Sequence, residues 1–471
     1  MLQNKNIPRI VLAAPHGRSG KTTVTVGLIA ALVKKGLTVQ PFKKGPDFID
    51  PSWLTLAAGR PCRNLDLYFV PPAELRRSFV NGCRAADLAV VEGAMGLFDG
   101  LDLNGSGSTA EIALALRAPV LLVLDTTRMT RSAAALVQGF QQFDPRLKLA
   151  GVILNRVARP RHEEMLRQAI ERYTGLPVVG ALPKDRAYVI PDRHLGLIPA
   201  GENEELHRAL EATRAAVEAT VDIERILEIA RQAAPLDYEF PPVEAPSNTI
   251  VRLGIIQDRV FHFYYPENLE ALAGAGAKLV FIDSLRDSSL PPIDGLYIGG
   301  GFPEIFAAEL EANFSLRRAL YRAAEGGLPI YAECGGLMYL ARRLYCGGRR
   351  YEMVGALPLE VQMEERPQGH GYTFLEARPD NPFFASGTQI RGHEFHHSRV
   401  VNLEREKVGF AYRVVRGMGV DGHHDGIMYR QILASYNHLY APAHPEWAWN
   451  FVARMAGVKE KKIRIRQLGS R

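Results

Sequence analysis

Ile10-Val11-Leu12-Ala13-Ala14-Pro15-His16-Gly17-Arg18-Ser19-Gly20-Lys21-Thr22-Thr23 is a short apolar run that breaks into a glycine-bearing loop ending in Gly-Lys-Thr. The apolar run reads as a strand, and the stretch from Lys21 to Lys35 reads as a helix. Strand, glycine loop and helix N-terminus in that order make a cradle for phosphate. Glycines let backbone N–H groups approach the oxygens, a lysine meets the β/γ charge, and a hydroxyl reaches Mg²⁺. Ser19, Gly20, Lys21, Thr22 and Thr23 are therefore candidate nucleotide-binding residues, although Pro15 stands where the common GxxxxGKS/T pattern has its first glycine.

Downstream the same rhythm continues. LTVQPF, DLAVVEGA, APVLLVLD, LAGVILN and LPVVGALP are short apolar runs separated by amphipathic stretches, the pattern of a mainly parallel sheet covered by helices. From Ala233 to Asn248 the text turns into APLDYEFPPVEAPSN, rich in proline and acids and without period, which suits a linker. Strand-like runs then resume with VRLGIIQ, AKLVFID, DGLYIGGG and LPIYAE. The expected organisation is an α/β nucleotide-binding domain over 1–235, a linker over 236–249, a second and different α/β domain over 250–458, and a basic tail over 459–471.

The chain has 471 residues, too many for one comfortable core, and its 47% hydrophobic and 23% charged residues are those of a globular protein. Cys62, Cys83, Cys334 and Cys346 form no CxxC pair, which argues against a disulfide framework or a zinc site. The N-terminus leads straight into the first strand, so a cytoplasmic protein with neither leader nor membrane span is expected. A net charge of +6 without aromatic residues interleaved in a basic stripe speaks against nucleic acid and leaves polyanionic small molecules as partners.

Two acidic clusters follow strands of the first half: Lys43-Lys44-Gly45-Pro46-Asp47-Phe48-Ile49-Asp50-Pro51, and Glu92-Gly93-Ala94-Met95-Gly96-Leu97-Phe98-Asp99-Gly100. Carboxylates at the carboxyl ends of parallel strands face the ligand crevice of an open α/β sheet, and Mg²⁺ takes hard oxygens, so Thr22, Asp47 and Glu92 form a metal set. In the second half LPIYAE runs into Cys334-Gly335-Gly336, a nucleophile on a sharp strand-to-helix turn with small neighbours, where a helix N-terminus is expected to lower the thiol pKa. Gly299-Gly300-Gly301 ends another strand, so Gly300, Gly301 and Gly335 are the candidate oxyanion donors. Two histidines, His438 and His444, are candidate bases for Cys334.

VQPFKKGPDFIDP, GRPCRNLD, EGAMGLFDG, LAGVILNRV and RHLGLIPAGE, spread over Val39 to Glu202, resemble the cobyrinic acid a,c-diamide synthase family, and the resemblance covers nearly the whole chain. It implies a dethiobiotin synthetase-like phosphate-loop domain and a class I glutamine amidotransferase-like domain. The reaction implied is ATP- and glutamine-dependent amidation of two acetate carboxylates of a tetrapyrrole through acyl phosphates, with ATP and Mg²⁺ as cofactors. It further implies phosphate and metal roles for Lys21 and Thr22, metal roles for Asp47 and Glu92, substrate-side places for Asp50 and Asp99, and an adenine contact for Asn155. The general amidotransferase pattern His-Pro-Glu favours His444 with Glu446, whereas the nearer family pattern SYxHLHF favours His438 and dispenses with that glutamate. The cluster His393-Glu394-Phe395-His396-His397 resembles a family segment near the substrate-facing surface and is assigned no metal.

At Phe48, Trp53-Leu54, Arg128 to Arg131 and Tyr440 the chain departs from the corrinoid pattern. Branches similar to sirohaem amidases and nickel-sirohydrochlorin diamide synthases therefore stay open for the acceptor, as does a homodimer. The rival from another class is a partitioning ATPase of the deviant phosphate-loop type. That class carries an early loop lysine where this chain has His16, and it lacks a glutaminase domain.

Overall fold

A computed structural model of the chain describes residues 6–185, 204–236 and 250–469. The motif stretch Arg193 to Glu202 and most of the expected linker lie outside the described residues. The chain divides into two compact units, Met1–Pro242 and Val243–Arg471.

The first unit is built on seven strands: β1 (Arg9–Ala13), β2 (Val39–Lys44), β3 (Arg63–Leu65), β4 (Leu88–Glu92), β5 (Val120–Asp125), β6 (Leu149–Val157) and β7 (Val178–Pro183). They form one parallel sheet in the order β3-β2-β4-β1-β5-β6-β7. Their side chains are buried on both faces, which is why the runs read as continuously apolar. From the central β1 the chain goes to one side for β2 to β4 and to the other for β5 to β7. The loop after β1 therefore opens at the switch point where ligands of such sheets bind. Helices α1 (Lys21–Lys34) and α2 (Ile49–Ala58) follow the first two strands, and α1 is buried along most of its length.

The second unit carries a ten-stranded sheet in two halves. Strands Ala277–Ile282, Val251–Ile256, Gly295–Ile298, Ile330–Glu333 and Ile432–Ser435 run parallel in that spatial order. The sheet continues antiparallel through His424–Tyr429, Gly409–Arg416, Gly369–Ala377, Gln389–His396 and His438–Leu439. The antiparallel half was not legible from periodicity. Its last strand follows the fifth after only Tyr436 and Asn437, so the antiparallel half must curl back towards the centre of the sheet. The helix Glu446–Gly469 continues through the stretch read as a basic tail, and Lys459 pairs with Asp294 at 3.0 Å. Among the described residues no helix is long and apolar enough to cross a membrane.

Candidate active sites

In the first unit Gly20 caps α1 with φ +86°, and a Cβ there would lie 2.1 Å from Asn155 Nδ2, so both conformation and space demand glycine. Asn155, at the end of β6, donates from Nδ2 to Ser19 O at 2.9 Å, and buried Ser19 donates from Oγ to His16 O at 2.8 Å. The residue expected at adenine thus also braces the phosphate loop. Lys21 Nζ donates to Met95 O at 2.7 Å and sits 3.4 Å from His16 O, which draws the Glu92–Gly100 segment over the loop. Burial, followed by the neighbouring Lys43, lowers the Lys21 ammonium to about 8. Thr23 follows in the first turn of α1.

Thr22 Oγ1 donates to Glu92 Oε1 at 2.8 Å and lies 3.5 Å from Asp50 Oδ2. Lys43, at the end of β2, stands inside this cluster. Its Nζ is 2.5 Å from Asp50 Oδ2, 2.7 Å from Glu92 Oε1 and 3.9 Å from Asp47 Oδ2. Burial and then Asp50 raise the half-buried Asp47 to about 7. Asp50, which burial alone would raise, is held below its usual range by Lys43. Glu92 is fully buried and is raised by that burial. Of the expected metal set the structure joins Thr22 directly to Glu92, and it brings in Asp50 more closely than Asp47. Asp99 Oδ2 accepts from Gly96 N at 2.7 Å and so closes its own loop.

Mg²⁺ fits this donor set. Glu92 Oε2 is buried and has no hydrogen-bond partner among the described residues, and its other oxygen already meets the Thr22 hydroxyl. No cluster of three His, Cys, Asp or Glu stands ready as an all-protein cage among the described residues. A phosphate-loop magnesium site takes one or two carboxylates together with phosphate oxygens and needs no such cage.

In the second unit Cys334 follows strand Ile330–Glu333 with φ +47° and ψ −100°, a strained turn, and its N–H donates to Ser435 O at 2.7 Å. The turn admits no side chains beside it. A Cβ on Gly336 would lie 2.4 Å from Ile298 O, one on Gly335 3.0 Å from Gly301 N, and one on Gly301 1.8 Å from Val260 O. A Cβ on Gly300 would lie 2.5 Å from His438 Cε1, so Gly300, Gly301, Gly335 and His438 gather around the elbow. The helix after Cys334 is only Gly335–Leu340. Burial, and next Glu304, push the thiol up, while the Gly335 N–H at the start of this short helix pulls it the other way.

His438 is buried, stacks on His393 with ring centroids 4.9 Å apart, and places Nδ1 3.5 Å from Glu333 Oε2. His444 instead uses Nε2 to accept from Arg391 N at 3.2 Å, packed edge-on against Phe384. The segment expected near a substrate-facing surface is largely interior: His393, Glu394 and His396 are buried, and Glu394 accepts from Met418 N and Gly419 N at 2.5 and 2.8 Å. Two residues were missed by reading the motifs, Lys43 and Glu333. Lys43 opens the stretch KKGPDF four positions before Asp47, and Glu333 ends LPIYAE directly before Cys334.

Residues 10–197 match the CobQ/CobB/MinD/ParA nucleotide binding domain family, and residues 252–445 match the CobB/CobQ-like glutamine amidotransferase domain family. A cobyrinate a,c-diamide synthase of Magnetococcus marinus is 47% identical over 454 residues, 95% of this chain and 97% of its own. Those of Archaeoglobus fulgidus and Dehalococcoides mccartyi are each 44% identical, over 95% of this chain and 98% of their own. On full-length similarity of this degree, together with both domain matches, the chain belongs to the cobyrinate a,c-diamide synthase family of glutamine-hydrolysing amidotransferase ligases.

Proposed function

We propose that the chain uses ATP to phosphorylate the a and c acetate carboxylates of cobyrinate and replaces each phosphate with ammonia released from glutamine. The reading is carried by the Thr22–Glu92–Lys43 cluster at the phosphate loop, in a chain that aligns end to end with relatives named for this reaction. In the first unit Lys21 meets the γ-phosphate, and backbone N–H groups of Ser19 to Thr23 cradle the phosphates. Thr22, Glu92 and Asp47 would hold Mg²⁺, which would offset the negative charge of the phosphates. Asp50 and Asp99 place the acceptor, and Asn155, whose Nδ2 is used on Ser19 O, offers its side-chain Oδ1 to the adenine amino group. The carboxylate oxygen attacks phosphorus, ADP leaves, and ammonia then displaces phosphate from the acyl phosphate.

In the second unit His438 takes the Cys334 proton and the thiolate adds to the glutamine amide carbonyl. The oxyanion faces backbone N–H groups of Gly300, Gly301 and Gly335. Collapse breaks the C–N bond, His438 returns the proton to the leaving ammonia, and water hydrolyses the thioester to glutamate. Incubation with ATP, Mg²⁺, glutamine and cobyrinate should yield ADP, phosphate and a diamide by mass spectrometry. Cleavage to AMP, or amidation of sirohaem with none of cobyrinate, would overturn the assignment.

A further inference from the structure

Glu333 precedes the nucleophile in the chain, yet its side chain turns back under the catalytic histidine. It is 2% exposed. Oε1 accepts from Leu439 N at 3.0 Å and from Tyr331 Oη at 2.9 Å; Oε2 accepts from Tyr297 Oη at 2.9 Å and faces His438 Nδ1 at 3.5 Å. A carboxylate this deep persists only when donors satisfy it, and these three fix both oxygens in place. Parallel pairing of Ile330–Glu333 with Ile432–Ser435, and the short Tyr436-Asn437 link to His438, explain how one acid reaches both catalytic residues.

We propose that Glu333 is the positioning residue of the glutaminase: it holds the Nδ1–H side of His438, leaving Nε2 as the proton acceptor for Cys334, and faces the imidazolium formed when the thiol ionises. This rests on the assignment of Cys334 and His438 as nucleophile and base. The proton passes from Sγ to Nε2, Nδ1 keeps its own proton, and Glu333 remains a carboxylate throughout. The position two residues after His438 holds Tyr440, so the acid comes from a different strand than a His-x-Glu arrangement would use. A distance of 3.5 Å is ion-pair reach for an imidazolium, and catalytic contacts are commonly longer than hydrogen bonds until substrate binds.

Two further neighbours of the ring, His393 and Gly300, do not supply this charge. His393 stacks on its face, meets Tyr265 Oη at 3.2 Å, and is kept well below the usual histidine range by burial and then by His438; an imidazole brings no negative charge. The Gly300 edge has no side chain.

Glu333→Gln in the full chain keeps the shape and removes the charge. Glutaminase kcat should fall roughly 10²–10⁴-fold with little change in the glutamine KM. The acid limb of the kcat/KM profile should move to lower pH, because the imidazolium loses its counter-charge. Tyr297→Phe withdraws a donor from Oε2, strengthens the carboxylate towards His438, and should move the same limb to higher pH with kcat changed only a few-fold. A loss of rate with the acid limb unmoved would mean that Glu333 merely anchors strands, and would overturn the proposal. If Glu333→Gln does not fold, an unmoved limb in Tyr297→Phe overturns it equally. His438→Asn separates the two levels: full glutaminase activity there removes the underlying assignment, whereas its loss beside wild-type behaviour in Glu333→Gln removes this inference alone.

Discussion

Replacing Lys43 with methionine keeps the aliphatic stem and deletes the ammonium that sits among Asp50, Glu92 and Asp47 at 2.5, 2.7 and 3.9 Å. Deleting one partner of a buried ion pair costs about 3–5 kcal/mol, because the other charge is left without compensation. Asp50 and Asp47 keep side-chain exposures of 30% and 33% and can hydrate, so the loss falls on Glu92 and lies near the lower end, about 3 kcal/mol. At about 1.4 kcal/mol per tenfold, amide protection in β4 should drop roughly 10²-fold. The effect has a definite pH sign. Lys43 is raised far above its ordinary value, so its contribution is present throughout the neutral range and is lost only in strong alkali. Without it, Glu92, already raised by burial, rises further above its unfolded value. An acid raised on folding destabilises fully above its folded pKa, and the destabilisation declines as pH falls from there to the unfolded pKa. The deficit should therefore be largest near pH ~8 and shrink towards pH ~5. Mg²⁺ at about 100 times its Kd should restore up to about 2.7 kcal/mol by binding only the folded cluster. Hydrogen exchange followed by mass spectrometry on Leu88–Glu92, expressed as protection factors at each pH, reads all three effects. Wild-type protection at pH ~8, or a deficit indifferent to pH, would contradict this role for the Lys43 charge.

Cys334→Ser should abolish glutamine-dependent synthesis while synthesis from ammonium salts continues, read as amidated product with each nitrogen donor; equal loss with both would contradict separate half-reactions. His438→Asn should lower glutaminase turnover by roughly 10²–10⁴-fold, whereas His444→Asn should cost mainly stability, about 1 kcal/mol for the lost acceptor of Arg391 N, measured by urea unfolding. The reverse ranking would restore the His-Pro-Glu reading. Gly301→Ala must displace a Cβ that would sit 1.8 Å from Val260 O, a backbone atom, so glutaminase activity should vanish with the ammonia reaction as control; near-normal hydrolysis would exclude this loop as the oxyanion site.

Both candidate sites were legible where chemistry forces residues to be neighbours along the chain. The phosphate loop needs Gly20, Lys21 and Thr22 in succession, and the elbow needs glycines beside Cys334, so each appeared as text. Strands of the parallel halves were equally plain, because burial on both faces writes them as unbroken apolar runs. What failed was anything set by pairing across the fold. LMYLARRL reads as one helix, yet the helix stops at Leu340 and Arg343–Cys346 becomes a strand, because Leu344 pairs with Val361 in a sheet that local propensity cannot foresee. The antiparallel strands from Gly369 onward carry turns and bulges in place of clean periods, so they were not seen as a continuation of the sheet.

Lys43 and Glu333 escaped for a related reason. A buried charge declares its role only through the groups that satisfy it, and these come from distant strands: Glu92 across the β2–β4 pairing for Lys43, and Tyr297, Leu439 and His438 for Glu333. In sequence each looks like the ordinary neighbour of a better candidate. The physical requirement nevertheless points to them in retrospect. A phosphate loop that gathers Asp47, Asp50 and Glu92 concentrates negative charge, and the lysine at the end of the adjoining strand reaches all three acids. An anion beside a buried histidine favours its charged form. Glu446 opens the helix Glu446–Gly469 and acts on His444, and the carboxylate that faces His438 in this fold is Glu333, at the end of the strand that leads into Cys334.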